Sequence, residues 1–258
     1  MRRSQVRFLF QAIFSKKKVL VIGESLITRN VACRIFLLQF GDKCCTGFAI
    51  DVDNKQYVIT VKHTVEGWDF SKEIQIFHEE QWKSLAFTLV GFCEDLVDVA
   101  VLCAPIRLVS DELLLADHTG IVWGQDIYFL GFPYGQKMTE SSSLNNGYPL
   151  PFVKKGIVSA MSIPPAHKTR LFYLDGHNND GFSGGPVVFK KAGTTHFAVA
   201  AVIAGYKEVL MPVFRDDQRS PFTYKDNTGI IVAWGIEGAM QLIRAKPIGF
   251  DLLPLIKR

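Results

Sequence analysis

The sequence predicts an all-β protein of two packed β-barrels followed by one C-terminal α-helix, and three observations carry that expectation. Twenty Phe, 21 Gly and 11 Pro accompany many short apolar runs closed by Gly, Asn or Asp, as in a strand-rich chain with many turns. The runs fall into two sets of about 100 residues each, joined near residue 115 of the 258. Closing each set into a barrel removes the exposed edges that so many short strands would leave.

Composition narrows the class further. A hydrophobic share of 48% and a charged share of 21% are ordinary for a globular protein and exclude disorder, collagen and coiled coil. The 29 Lys and Arg against 25 Asp and Glu leave +4, an excess too small and too evenly spread to argue for a nucleic-acid partner. All five cysteines, Cys33, Cys44, Cys45, Cys93 and Cys103, lie in the first half, so no disulfide framework can cover the fold. Free thiols in a reducing compartment, the cytoplasm, are expected.

The first segment, 1–18, joins a basic head to an apolar stretch at 6–14, which is too short to span a bilayer. Ser15 is followed by three lysines rather than by a small-residue cleavage site, which argues against secretion. A docking helix or frayed terminus is expected; with no acidic residue before Glu24, organelle targeting stays open. Residues 1–30 are therefore set apart as an N-terminal extension.

The first barrel is assigned to 31–115. Residues 45–52 and 56–61 flank the polar turn Asp53-Asn54-Lys55 and read as a hairpin, 73–77 and 83–92 continue as strands, and 97–103 closes the set. After the acidic stretch 109–120, the second barrel (116–235) takes strands at 126–130, 152–161, 170–174, 185–189, 197–203 and 229–233. The polar stretches 136–147 and 215–227 read as surface loops. Ile236, Met240 and Ile243 stand at helical spacing over 236–244, opening a C-terminal helix and tail (236–258) too short for an appended PDZ-like domain.

Three segments each bring a chemically capable residue to a strand end, in the order His63, Asp98, Ser183. Alone, a His after a strand is most often structural, and Asp98 before the apolar run Val99-Ala100-Val101-Leu102 could be a strand-start cap. A buried carboxylate nevertheless needs a hydrogen-bonded partner. Ser183 is more specific: Gly181-Phe182-Ser183-Gly184-Gly185-Pro186 permits a tight turn with converging N–H groups, and a plain glycine turn has no need of Ser there.

Over roughly 40–245 the sequence resembles the trypsin-like (chymotrypsin-fold) serine peptidases, especially the compact bacterial and Deg-type members. Thr46-Gly47-Phe48-Ala49-Ile50 is similar to the family's strand before the His segment. Thr60-Val61-Lys62-His63 is similar to its Thr-x-x-His, and Asp98-Val99-Ala100-Val101-Leu102 to its Asp-x-Ala-x-Leu. Gly131-Phe132-Pro133-Tyr134-Gly135 resembles its second-barrel turn, and 155–160 its Gly-x-Val-Ser strand.

The resemblance implies two six-stranded barrels with His63 and Asp98 on the first and Ser183 on the second. It also implies peptide-bond hydrolysis through an acyl-enzyme. His63 would be the general base, Asp98 would hold its tautomer, and the N–H groups of Gly181 and Ser183 would bind the oxyanion. His177, six positions before Ser183, would lie at the floor of the pocket for the residue preceding the scissile bond, with Ala204 and Gly205 along one wall. Small or medium apolar residues are expected there, or an acidic one if His177 is protonated and points inward. No cofactor is implied, and the remaining histidines show no metal spacing.

Departures from the family pattern also carry expectations. Lys62 replaces a small residue, so its ammonium either extends outward, as expected, or disturbs His63. Phe182 replaces an Asp that pairs with a freed amino terminus in zymogen-activated relatives, which puts that activation in doubt. Thr64 stands where secreted animal relatives carry a disulfide Cys. The alternative to an enzyme is a pseudoenzyme binding peptides or proteins on the same fold; an α/β-hydrolase would need the order Ser, Asp, His.

Overall fold

A computed structural model of the chain describes residues 27–109, 113–138, 145–165, 167–215 and 217–252. The targeting or docking expectation for 1–18 lies outside these residues, as do 139–144 within the first polar stretch.

The first sheet grows from hairpins. After a single turn of helix, α1 (Arg29–Ala32), strands β1 (Ile35–Phe40), β2 (Lys43–Val52) and β3 (Lys55–Thr60) follow as an antiparallel meander. Asp53 and Asn54 take φ of +48° and +61° in the two-residue turn between β2 and β3, a conformation that short polar side chains tolerate. Strands β4 (Ile74–His78), β5 (Gln81–Leu85), β6 (Thr88–Phe92) and β7 (Ala100–Cys103) complete the order β5-β4-β1-β2-β3-β7-β6. The expected single strand at 83–92 is thus two, on opposite edges of this curled half-barrel. Buried Phe87 marks the corner, where its N–H bonds Leu85 O at 3.1 Å; no Gly or Pro betrays it in the sequence.

The second sheet closes. Strands β9 (Asp126–Gly131), β10 (Phe152–Ser162), β11 (Leu171–Asp175), β12 (Pro186–Lys190), β13 (Phe197–Arg215) and β14 (Gln218–Gly235) run in the ring β12-β9-β10-β11-β14-β13. The β12–β13 pairing shuts it. The short β8 (Leu115–Ala116) lies parallel to β13 outside that ring. Alternate positions of these strands meet in an apolar interior of Phe129, Phe172, Phe189 and Ile231.

Most of the stretch 215–227 is not a loop. Residues 218–227 are the return strand of an extended arm, paired antiparallel from Glu208↔Asn227 out to Arg215↔Gln218 with a register shift between Pro212 and Phe214. Both faces of this two-stranded ribbon meet solvent, with Leu210, Phe214 and Phe222 exposed. It therefore lacks the one-sided apolar alternation that marks a strand in sequence.

Between the barrels, Gln56 holds the linker: its Oε1 accepts the N–H groups of Leu108 (2.8 Å) and Val109 (3.3 Å), while its Nε2 donates to Val109 O and Asp51 Oδ1. The same carboxylate takes the fully buried Arg34 guanidinium at 2.8 Å. Helix α2 (Lys62–Val65) is a single turn after β3, and α3 (Glu237–Ala245) is the helix expected at the C-terminal end. Its buried Ala239 and Ile243 face inward, and Leu242 meets β6 where Gly91 leaves space. Strand β15 (Phe250–Asp251) then returns to pair with β3. Among the described residues no helix is long and apolar enough to cross a membrane.

Candidate active site

Strand register brings His63 and Asp98 together. β3 and β7 are neighbours with Thr60 opposite Ala100, so the residue three beyond one and two before the other emerge at the same end. Asp98 then makes two bonds to the same partner: Oδ1 accepts the His63 backbone N–H at 2.8 Å, and Oδ2 lies 2.6 Å from His63 Nδ1. A carboxylate in that position accepts the Nδ1 proton and leaves Nε2 with a free lone pair. Lys62 does not intrude; its Nζ is 3.8 Å from Glu66 Oε1 and 5.8 Å above the Phe92 ring.

Ser183 reaches the same region from the second barrel. Its carbonyl accepts the Thr46 N–H at 3.0 Å, and Thr46 O in turn accepts the Thr60 hydroxyl at 2.8 Å. The next residue, Gly184 at φ +84°, packs so tightly that a Cβ would lie 2.0 Å from Thr46 O and 2.4 Å from Thr60 Oγ1. The serine turn is thus seated against the end of β3, close in sequence to His63. Ser183 Oγ donates to Ala204 O at 3.3 Å, and among the described residues it has no hydrogen bond to His63.

Two N–H groups beside Ser183 are aimed by the carbonyls of their own peptide units. All peptide bonds described are trans, so each N–H points opposite to its carbonyl. Asp180 O accepts the Tyr134 N–H at 2.7 Å, which turns the Gly181 N–H the other way; Phe182 O accepts from Gly185 N at 2.8 Å, which does the same for the Ser183 N–H. Neither N–H has an acceptor among the described residues, so the pair can receive an anionic oxygen. Gly181 sits at φ +98° with a Cβ position 2.3 Å from Phe132 O, so no other residue fits.

Around this turn, Thr46 Oγ1 donates to Gly181 O at 2.6 Å and accepts the Phe132 N–H at 3.1 Å. Phe182 carries no carboxylate into the site. Its ring is fully buried and edge-on to Phe129 at 5.2 Å. The 176–180 loop is tied to β14 through Gly176 N to Gly229 O (3.0 Å) and Asn227 Nδ2 to Asn178 O (2.7 Å). His177 is exposed on that loop, and a side chain at Gly205 would meet open space. Asp180 Oδ1 accepts the Tyr206 hydroxyl at 3.4 Å. Sequence reasoning named Thr46 only as part of a strand and Tyr134 only as part of a turn, and missed Lys154, whose ammonium reaches a backbone carbonyl and an amide oxygen of this loop without leaving a motif.

The cysteines stand apart from this site chemistry. None of the five forms a disulfide; burial pushes the pKa of Cys45 and Cys93 up to about 12, and raises that of Cys44 and Cys103 as well. Among the described residues no group of three or more His, Cys, Asp or Glu is gathered as for a metal.

The fold is that of a two-barrel protein in which the segments carrying His63, Asp98 and Ser183 come to the place where the two sheets meet. Residues 45–194 match the trypsin-like peptidase domain, and the chain belongs to that family. Its fold is shared with the Rv3671c protease of M. tuberculosis in its inactive form, at 16% identity and TM-score 0.52 over 84% of this chain and 90% of that one. A serine endoprotease from Yersinia pestis matches at 20% identity and TM-score 0.52 over 86% and 68%. The HtrA-type protease AlgW, with a tripeptide, matches at 18% identity and TM-score 0.52 over 83% and 60%. No curated protein sequence matches. Family membership supports protease activity and, with it, protein or peptide substrates.

Proposed function

We propose that the protein is a serine endopeptidase that cleaves peptide bonds through an acyl-enzyme on Ser183. The observation that carries this reading is the two-point grip of Asp98 on His63, one bond to its backbone N–H and one to Nδ1, an arrangement that in a neutral imidazole favours the Nδ1–H tautomer and leaves Nε2 as the acceptor. A serine hydroxyl needs such a base to become a nucleophile at neutral pH. Rotation about χ1 frees Ser183 Oγ from Ala204 O and turns it toward His63; apo sites are often this loose before substrate binds.

In the acylation step, Ser183 Oγ bonds to the scissile carbonyl carbon while its proton passes to His63 Nε2. The electron pair of the carbonyl moves onto oxygen, where the N–H groups of Gly181 and Ser183 hold it. As the C–N bond breaks, His63 returns the proton to the leaving amine, and Asp98 stabilises the imidazolium without taking that proton. Water then repeats the sequence to release the acyl group.

The bond from Ser183 Oγ to Ala204 O favours a second reading, a peptide-binding protein on the same fold without turnover. Incubating the protein with a quenched-fluorescent peptide library separates the two: cleavage by the native chain that is lost in Ser183→Ala supports the peptidase, and binding without cleavage supports the alternative.

A further inference from the structure

We propose that Lys154 is a positioning residue whose ammonium holds the 177–181 loop so that the Gly181 N–H stays aimed into the cleft. The inference rests on the peptidase reading above, and it adds a residue to that site that no sequence motif marks.

Lys154 lies in the second barrel wall on β10, paired with Phe129 of β9. From there its Nζ donates to His177 O and to Asn179 Oδ1, each at 2.5 Å, and stands 5.2 Å above the Phe182 ring. One cation therefore touches the loop at 177, at 179 and at 182, on both sides of Gly181. Backbone carbonyls and amide oxygens are weak acceptors one at a time; a charged donor roughly doubles the strength of each bond. Desolvation lowers the Lys154 pKa. The charge is thus held at some cost at a place where two polar acceptors and an aromatic face converge on it.

The tie is transmitted to the hole in two steps. Asn179 passes its order on through its own O, which accepts the Phe182 N–H at 3.2 Å, and through Nδ2, which donates to the Tyr134 hydroxyl at 3.3 Å. Tyr134 is the residue whose N–H fixes Asp180 O, and so sets the direction of the Gly181 N–H. With Lys154 neutralised, the 177–180 segment loses its charged anchor and keeps the bond of Asn178 to Asn227, those of Asn179 to Phe182 and Tyr134, and those of Asp180 to Tyr134 and Tyr206. The peptide unit at 180–181 then gains freedom to rotate. Donor loss of this kind acts on the transition state, because the oxyanion exists only there.

The test compares Lys154→Met, which keeps the stem and removes the charge, with Lys154→Arg, which keeps charge and donors. Kinetics on a peptide substrate should show kcat reduced about 10- to 100-fold in the Met variant, short of the 10²–10³ for complete loss of one oxyanion donor, with KM changed less than about 3-fold. The Arg variant should recover most of the loss. Hydrogen–deuterium exchange over residues 176–184 should be faster in the Met variant and near wild type in the Arg variant. Wild-type kcat and exchange in Lys154→Met would overturn the proposal, as would equal losses in both variants. Exchange reads the loop whether or not the chain turns over substrate. An inactive wild type would count against the Ser183 assignment and leave exchange to decide Lys154.

Discussion

Thr46 Oγ1 donates to Gly181 O at 2.6 Å, joining residues 135 positions apart and the first barrel to the turn that carries Ser183. The same hydroxyl accepts the Phe132 N–H, so one buried side chain holds both the turn that follows β9 and the turn that precedes β12. Thr46→Val keeps the shape and removes both bonds, leaving a buried N–H and a carbonyl unpaired at about 1–3 kcal/mol each. We expect thermal unfolding to shift down by about 3–10 °C and kcat to fall about 10-fold. Unchanged kcat would show that Gly181 is oriented without Thr46.

Asp98→Asn retains the shape of the carboxylate but can present an amide N–H to His63 Nδ1. The ring then settles in the tautomer that protonates Nε2, and kcat should fall by about 10⁴ with the fold intact. Steady-state kinetics on a peptide substrate check this. A loss smaller than about 10-fold would mean that another group orients His63.

No disulfide links the five cysteines, and none belongs to the proposed chemistry. Dithiothreitol should therefore leave both the rate and the melting temperature unchanged. Intact mass under non-reducing conditions checks the same point: two protons missing for any pair would overturn it.

Specificity follows from what faces the cleft beside Ser183. We propose that His177, six positions before Ser183, lies at the floor of the pocket; Asp180 is engaged by the Tyr206 hydroxyl, and Gly205 leaves open space. A substrate Lys or Arg would be desolvated there without a free carboxylate, which costs several kcal/mol, on the order of 3–5. Profiling a peptide library should show cuts after small or medium apolar residues, with acidic residues as the alternative if His177 is charged and turned inward. Cuts mainly after Lys or Arg would contradict this pocket.

How much was legible depends on whether a residue acts through its type or through its contacts. His63 and Asp98 could be singled out because one follows and the other precedes a strand with a clear apolar pattern, and β3 and β7 are neighbours. Gly181 and Gly184 could be placed because only glycine meets their positive φ and their close backbone neighbours. Lys154 could not: its acceptors include a main-chain carbonyl 23 residues away, which any residue at 177 would supply. The arm at 215–227 escaped because a solvent-bathed ribbon needs no apolar face, and the 83–92 corner because Phe87 looks like any other strand residue.

The central claim is that Ser183 is a nucleophile activated by His63, and covalent labelling tests it most directly. The native chain treated with a fluorophosphonate should gain one adduct by mass, and peptide mapping should place it on Ser183. Ser183→Ala, which removes only a hydroxyl from a glycine-rich turn, should fold normally and gain none. No adduct on the native chain, or an adduct that persists in Ser183→Ala, would contradict the account.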